Sequence, residues 1–99
     1  MTEFKLVLPQ EPRKFPLGKI SLTANALLNL QMQDMSDCLT RHAHGDWGDE
    51  PEKVRQGNEF ALSYGGLFLS VYHDRNGVKF WIMTDTHRKT TTMLLPEDY

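Results

Sequence analysis

Leu67-Phe68-Leu69-Ser70-Val71-Tyr72-His73, then Asp74-Arg75-Asn76-Gly77, then Val78-Lys79-Phe80-Trp81-Ile82-Met83-Thr84: the reading of this stretch decides the fold. Its two outer runs are rich in β-branched and aromatic residues, which fit a pleated, half-buried surface. Asn-Gly between two such runs is the strongest short hairpin signal, because a tight hairpin turn needs positive φ at both central positions. Thr90-Thr91-Thr92-Met93-Leu94-Leu95 supplies a further strand, with His87-Arg88-Lys89 at the turn before it. The second half of the chain therefore reads as a three-stranded antiparallel meander. Tyr72 and Trp81, on neighbouring strands, are expected to pack on each other.

Such a sheet has a face to bury, and the residues upstream supply the cover. Thr23 suits the N-cap of a helix starting at Ala24. Leu28, Met32, Met35 and Leu39 recur at helical spacing, with Leu27 and Cys38 beside them, and form an amphipathic stripe. A break near residues 34–36 is open, since Asp34 or Ser36 can cap a second helix. Gly45 stops the run. Asp49 and Glu52 have capping-box spacing, and Pro51 suits a first helical turn. The helix they predict spans about residues 51–64, with Val54, Ala61 and Leu62 buried and Gly65-Gly66 as its stop.

Before the helices, residues 4–8 read as a first strand ended by Pro9, and Lys19-Ile20-Ser21-Leu22 as a short second one. Pro9, Pro12 and Pro16 make the connection between them irregular and extended. The expectation is a single α+β domain over residues 1–99. It is a two-layer sandwich: the C-terminal meander, open to extension by an N-terminal hairpin, packed on two or three helices.

Composition narrows the class. A hydrophobic share of 39% with 24% charged residues is ordinary globular material. The single cysteine, Cys38, excludes an internal disulfide and fits a reducing compartment. The first residues lack the basic region and apolar run of a signal peptide, and no apolar run approaches a membrane span. A soluble, cytoplasmic protein without a membrane partner is expected. Residues 21–52 set six acids against Arg41 alone. With a pI near 6.0, that balance argues against non-specific nucleic-acid binding, although a local basic patch stays available.

The chemistry is concentrated in Arg41-His42-Ala43-His44-Gly45-Asp46-Trp47-Gly48-Asp49. His42, His44 and Asp46 have the His-x-His-x-Asp order of metallo-β-lactamase-type sites. That pattern continues with a further histidine where this chain has Trp47, so no metal centre and no cofactor are predicted. His42 beside Arg41 and Asp46 can serve as a general base whose tautomer a carboxylate fixes. Arg88 with Thr91 and Thr92 can hold an anion such as phosphate. Alternatively, the stretch is a corner joining two helices. Asp46 then braces backbone N–H groups, Gly45 and Gly48 supply positive-φ turns, and Trp47 plugs the end of the core. Such a corner can still present a surface, since Trp and Arg anchor interfaces more often than other residues. Candidate binding residues are Arg41, His42, Asp46, Trp47, Arg88 and Thr91.

Arg41-His42 with Gly45-Asp46-Trp47-Gly48, the Asn58-Glu59 pair, Ser70-Val71-Tyr72 and the ending from Arg88 through Thr91-Thr92 to Leu94-Leu95-Pro96 resemble a family of short bacterial proteins carried on plasmids and other mobile elements, usually labelled plasmid-related. The likeness spans about residues 22–99. The chain departs from it at His87, where the family often has Asp. The resemblance implies a bacterial protein of a mobile element, and plasmid maintenance or interference with host defence fits that setting. The leading expectation is a non-enzymatic binding module that contacts a host or plasmid macromolecule, a protein in preference to nucleic acid because the chain is acidic. The alternative is a small metal-independent ribonuclease-like toxin using His42, Asp46 and Arg88. An enzyme needs those side chains to converge on one open cleft with Arg41. A binding module needs an exposed Trp47 or an apolar patch.

Overall fold

The computed structural model describes residues 6–9, 12–49 and 52–99. Its elements are β1 (Lys19–Leu22), α1 (Ala24–Asn29), α2 (Met32–Ala43), α3 (Glu52–Tyr64), β2 (Phe68–His73), β3 (Lys79–Thr84) and β4 (Thr90–Leu94), ending in a 3-10 turn, Pro96–Asp98. The architecture is α+β, as expected, and the meander of β2, β3 and β4 is present and antiparallel. The sheet is four-stranded and mixed, in the order β1-β4-β3-β2.

The fourth strand departs from the expected N-terminal hairpin. β1 pairs parallel to β4, with Lys19 opposite Thr90 and Leu22 opposite Met93. Residues 6–8 are not in a strand, and Phe4 and Lys5 lie outside the described residues. The prolines are the physical reason, since each removes a ladder donor. The segment runs along the helices instead. The Val7 amide donates to Ser36 Oγ and the Lys14 amide to the Ala43 carbonyl, while Phe15 and Leu17 sink into the core.

Thr23 caps α1, its Oγ accepting from the Ala26 amide at 3.1 Å. The helical run does not break near residues 34–36. It breaks at Leu30, which leaves helical backbone at φ −107° and ψ 153° and buries its side chain. The break rotates the stripe, so Leu28, expected inside, is 80% exposed, whereas Met35, Cys38 and Leu39 stay buried. Burial pushes the Cys38 thiol up to about 11, as befits a packed side chain.

α3 is described from Glu52, and the two residues between Asp49 and it, Glu50 and Pro51, which the expected capping box would place in the first turn, lie outside the described residues. The Asp49 carboxylate faces His73 Nδ1 at 3.1 Å. No helix among the described residues is long and apolar enough to cross a membrane.

Register sorts the two faces of the sheet. Phe68, Ser70 and Tyr72 lie opposite Thr84, Ile82 and Phe80, and all six are buried on the helix side. Tyr72 pairs with Phe80, and Trp81 lies opposite Val71 on the other face. The expected Tyr72–Trp81 pair therefore does not form. The open face carries Leu69, Val71, Trp81, Met83, Thr92 and Leu94, with Trp81 meeting the Tyr99 ring edge-on at 5.6 Å.

Candidate functional site

The corner after α2 starts from a cation and a carboxylate five residues apart. Arg41 Nε donates to Asp46 Oδ2 at 2.8 Å and its Nη2 to Oδ1 at 3.2 Å. That pairing raises the guanidinium pKa and holds the Asp46 carboxyl below its usual range. Asp46 also accepts from the Gly48 amide at 3.2 Å. Its own carbonyl takes the Tyr72 hydroxyl at 2.5 Å, and Arg41 lies over the Tyr72 ring at 4.8 Å. Arg41 and Asp46 are thus turned onto the corner itself. A recess of about 190 Å³ lies beside the corner, lined by Asp46, Trp47, Glu52 and Arg55 among others.

Trp47 is 5% exposed. Its indole stacks on Phe68 at 5.4 Å and Phe15 at 6.1 Å, and its N–H donates to Glu59 Oε2 at 2.6 Å. Just beyond it the backbone docks on β2, an edge strand whose free N–H and C=O groups need cover. The Val71 amide donates to the Trp47 carbonyl and the Asp49 amide to the Val71 carbonyl. Gly48 makes this approach possible, because its φ is +98° and a Cβ there would overlap the Val71 carbonyl. One step along the edge, Asn58 of α3 takes over. Its side-chain amide donates to the Leu69 carbonyl at 2.6 Å and accepts from the Leu69 amide at 2.8 Å. An asparagine side chain thereby substitutes for a neighbouring strand.

His42 lies beneath the corner, fully buried. Its Nδ1 is 2.5 Å from Ser70 Oγ and its Nε2 2.9 Å from Thr84 Oγ1. Thr84 Oγ1 is 2.7 Å from Thr91 Oγ1, which donates to the Leu17 carbonyl at 2.7 Å. The donors can be ordered along this chain. Leu17 can only accept, so Thr91 spends its proton there and Thr84 must donate to Thr91. Thr84 must then receive from His42, which fixes the Nε2–H tautomer and leaves Nδ1 to accept from Ser70. Burial drives the imidazole pKa down to about 3, so the ring is neutral at physiological pH. With both nitrogens spent in the core, His42 has no open route to an outside substrate.

Arg88 sits at the other end of β2. It adopts φ +59° in the turn before β4. Nη1 donates to the carbonyls of Gly66 at 2.5 Å and Asp85 at 2.8 Å, and the guanidinium lies over the Phe68 ring at 3.9 Å. Arg41 faces Tyr72 and Arg88 faces Phe68, four strand residues or roughly 13 Å apart. Arg41, His42, Asp46 and Arg88 therefore do not converge on one cleft, and Thr91 lies in the core chain instead of beside Arg88. Among the described residues no group of His, Cys, Asp or Glu is placed to hold a metal ion.

No family model, curated protein or solved structure matches the chain.

Sequence reading passed over the roles of Ser70, Thr84, Leu17 and Phe15. Ser70 had a legible signal, because strand alternation puts it between Phe68 and Tyr72 on the buried face, where a hydroxyl needs a partner. The open sheet face was missed as well. A groove of about 250 Å³ runs across it, lined by Leu67, Met83, Asp85, Thr90, Thr92, Leu94 and Tyr99.

Proposed function

We propose that this protein is a non-enzymatic binding module that works by contact with a macromolecule through the open face of its sheet. The observation that carries this reading is the mostly apolar groove formed by Leu67, Met83, Leu94 and Tyr99, with half-buried Trp81 in contact with Tyr99. Exposed Leu67 and Tyr99 and half-buried Met83, around a concavity whose wall includes the buried Leu94, are the raw material of an interface core. The chemistry-bearing side chains of the corner are engaged with one another, which supports contact over turnover. The partner is a protein in preference to nucleic acid, because the chain carries a net charge of −2 and the groove contains Asp85 and no cation. Following the resemblance of the sequence, the partner is a cytoplasmic host or plasmid protein of a bacterium, met in plasmid maintenance or counter-defence.

The test begins with capture of partners from bacterial lysate on the immobilised protein, followed by titration of the purified partner. Saturable binding that weakens at least tenfold in Met83→Glu and is unchanged in Arg41→Ala supports the reading. Equal binding by Met83→Glu, or no saturable partner, sinks it. RNA cleavage by the wild type that disappears in Arg41→Ala and Asp46→Asn would move the function to the corner.

A further inference from the structure

Lys53, Gly57, Phe60 and Tyr64 follow one another on α3 at spacings of four, three and four, so they share one helix face. That face is turned away from the core, which α3 meets through Asn58 and Ala61. Phe60 is 62% and Tyr64 78% exposed, and their rings lie 4.7 Å apart, forming a continuous aromatic surface.

Gly57 makes no sense for the isolated protein. It occupies ordinary helical backbone in mid-helix, where glycine is clearly less favourable than alanine. A Cβ there would meet nothing within 4 Å. The fold itself imposes no reason to omit the side chain. A body approaching from outside does.

We propose that this face is a self-association surface and that its occupant is α3 of a second copy of this chain, packed antiparallel about a two-fold axis. A two-fold axis requires paired residues to be equidistant from one midpoint. Gly57 and Phe60 share the same midpoint as Lys53 and Tyr64. The axis therefore seats each Phe60 ring in the gap over the other copy's Gly57. It also sets each Lys53 ammonium over the other copy's Tyr64 ring, a cation–π pairing. The face is complementary to itself in shape and in charge, with no need for a foreign partner.

The area sets the strength. Aromatic side chains of about 150–250 Å² each, at these exposures, offer roughly 300 Å² of ring surface per copy. With Lys53 and Gly57 around them, both copies together bury less than about 900 Å², below the 1,200–2,000 Å² of a stable complex. The dimer is weak and concentration-dependent, and its formation is separate from occupation of the sheet groove.

Sedimentation equilibrium of the purified protein, from micromolar to millimolar, tests this. The wild type is expected to move from monomer to dimer across the range. Phe60→Glu should abolish the dimer, and Leu28→Glu, on exposed α1, should leave it unchanged. Gly57→Ala gives the sharpest result: its monomer should melt several degrees higher while dimerisation weakens at least tenfold. A protein that stays monomeric at millimolar concentration overturns the proposal. So does a dimer insensitive to Phe60→Glu or Gly57→Ala, or one dissolved by Leu28→Glu.

Discussion

Acidification isolates the His42 chain from everything else in the fold. The folded pKa of about 3 lies far below the ordinary 6.5, so between those values the unfolded chain binds a proton that the folded chain refuses. The contribution to stability is fully present above pH 6.5 and is lost as pH falls toward 3. At a pH of about 4.5 the linkage costs about 3 kcal/mol, a large part of the roughly 5–15 kcal/mol that holds such a domain together. Burial is the cause, and no charged neighbour contributes. The shifted carboxylates act lower: Asp34, Asp46, Asp85 and Asp98 are held below the ordinary 3.8 and Glu52 below the ordinary 4.5, so their stabilisation is lost only as pH falls below those values.

The assay is urea unfolding followed by tryptophan fluorescence, since Trp47 is packed against His42 with ring centres 5.9 Å apart. Stability of the wild type should fall steadily from neutral pH to about 4.5. His42→Gln keeps hydrogen-bonding groups at the site but cannot take up the proton. It is expected to be about 1–3 kcal/mol less stable at neutral pH and nearly flat across the same window. Parallel profiles for the two proteins would refute the reasoning. Should His42→Gln fail to fold, imidazole nitrogen shifts of the wild type decide the matter. A His42 ring that protonates near 6.5 in the folded protein would show that the burial argument is wrong.

Three further perturbations probe the cover of β2 and the corner. Asn58→Ala bares the Leu69 amide and carbonyl and should cost about 1–3 kcal/mol, read as a melting temperature lower by several degrees. Gly48→Ala combines a positive-φ backbone with a Cβ that overlaps the Val71 carbonyl. It should cost more than about 2 kcal/mol and speed amide exchange at Val71 and Asp49. Arg41→Ala breaks an ion pair whose side chains are 40% and 52% exposed and should cost under about 1 kcal/mol in chemical denaturation. A larger loss would mean that its stacking on Tyr72 outweighs the pair.

The strands of the meander were legible because alternation fixes the faces and Asn76-Gly77 marks the reversal. The turn is not centred on that pair: the Gly77 amide donates to the Asp74 carbonyl, Arg75 and Asn76 are central, and of the Asn-Gly pair only Gly77 has positive φ. β1 was found but given the wrong neighbour, because its pairing with β4 crosses about seventy residues and leaves no local trace. Leu28 was misplaced because a stripe read at constant period assumes a straight helix, and two extended residues, Leu30 and Gln31, rotate everything before them. Phe15 and Leu17 were hidden by their prolines, which mark an irregular segment and say nothing about whether it is buried. At the corner, the glycines, the Arg41–Asp46 pair and the packed indole follow from residue types. The destination of His42 does not, because Ser70 and Thr84 come to it from sequence distances of 28 and 42.

That arrangement explains why polar residues are kept in a core that apolar ones could fill. Strand side chains alternate with a period of two, so slipping β2 or β3 by one residue exchanges its buried and open faces. A slip of β2 would swing Ser70 outward and strand Nδ1 of His42, and a slip of β3 would swing Thr84 outward and strand Nε2, while Thr91 would keep its bond to the Leu17 carbonyl. Each stranded group costs about 1–3 kcal/mol, on top of any apolar mismatch. An all-apolar core would resist the slip less, because β2 offers Leu69 and Val71 on one face and Phe68 and Tyr72 on the other. The hydroxyls and the imidazole accept one arrangement only. Asn58 and Gly48 then lock the same register from outside, since each is matched to one residue of β2, Leu69 and Val71. His42, Ser70 and Thr84 inside, with Asn58 and Gly48 outside, thus hold one strand in one place, and the contacts we propose lie elsewhere, on the open face of the sheet and the outer face of α3.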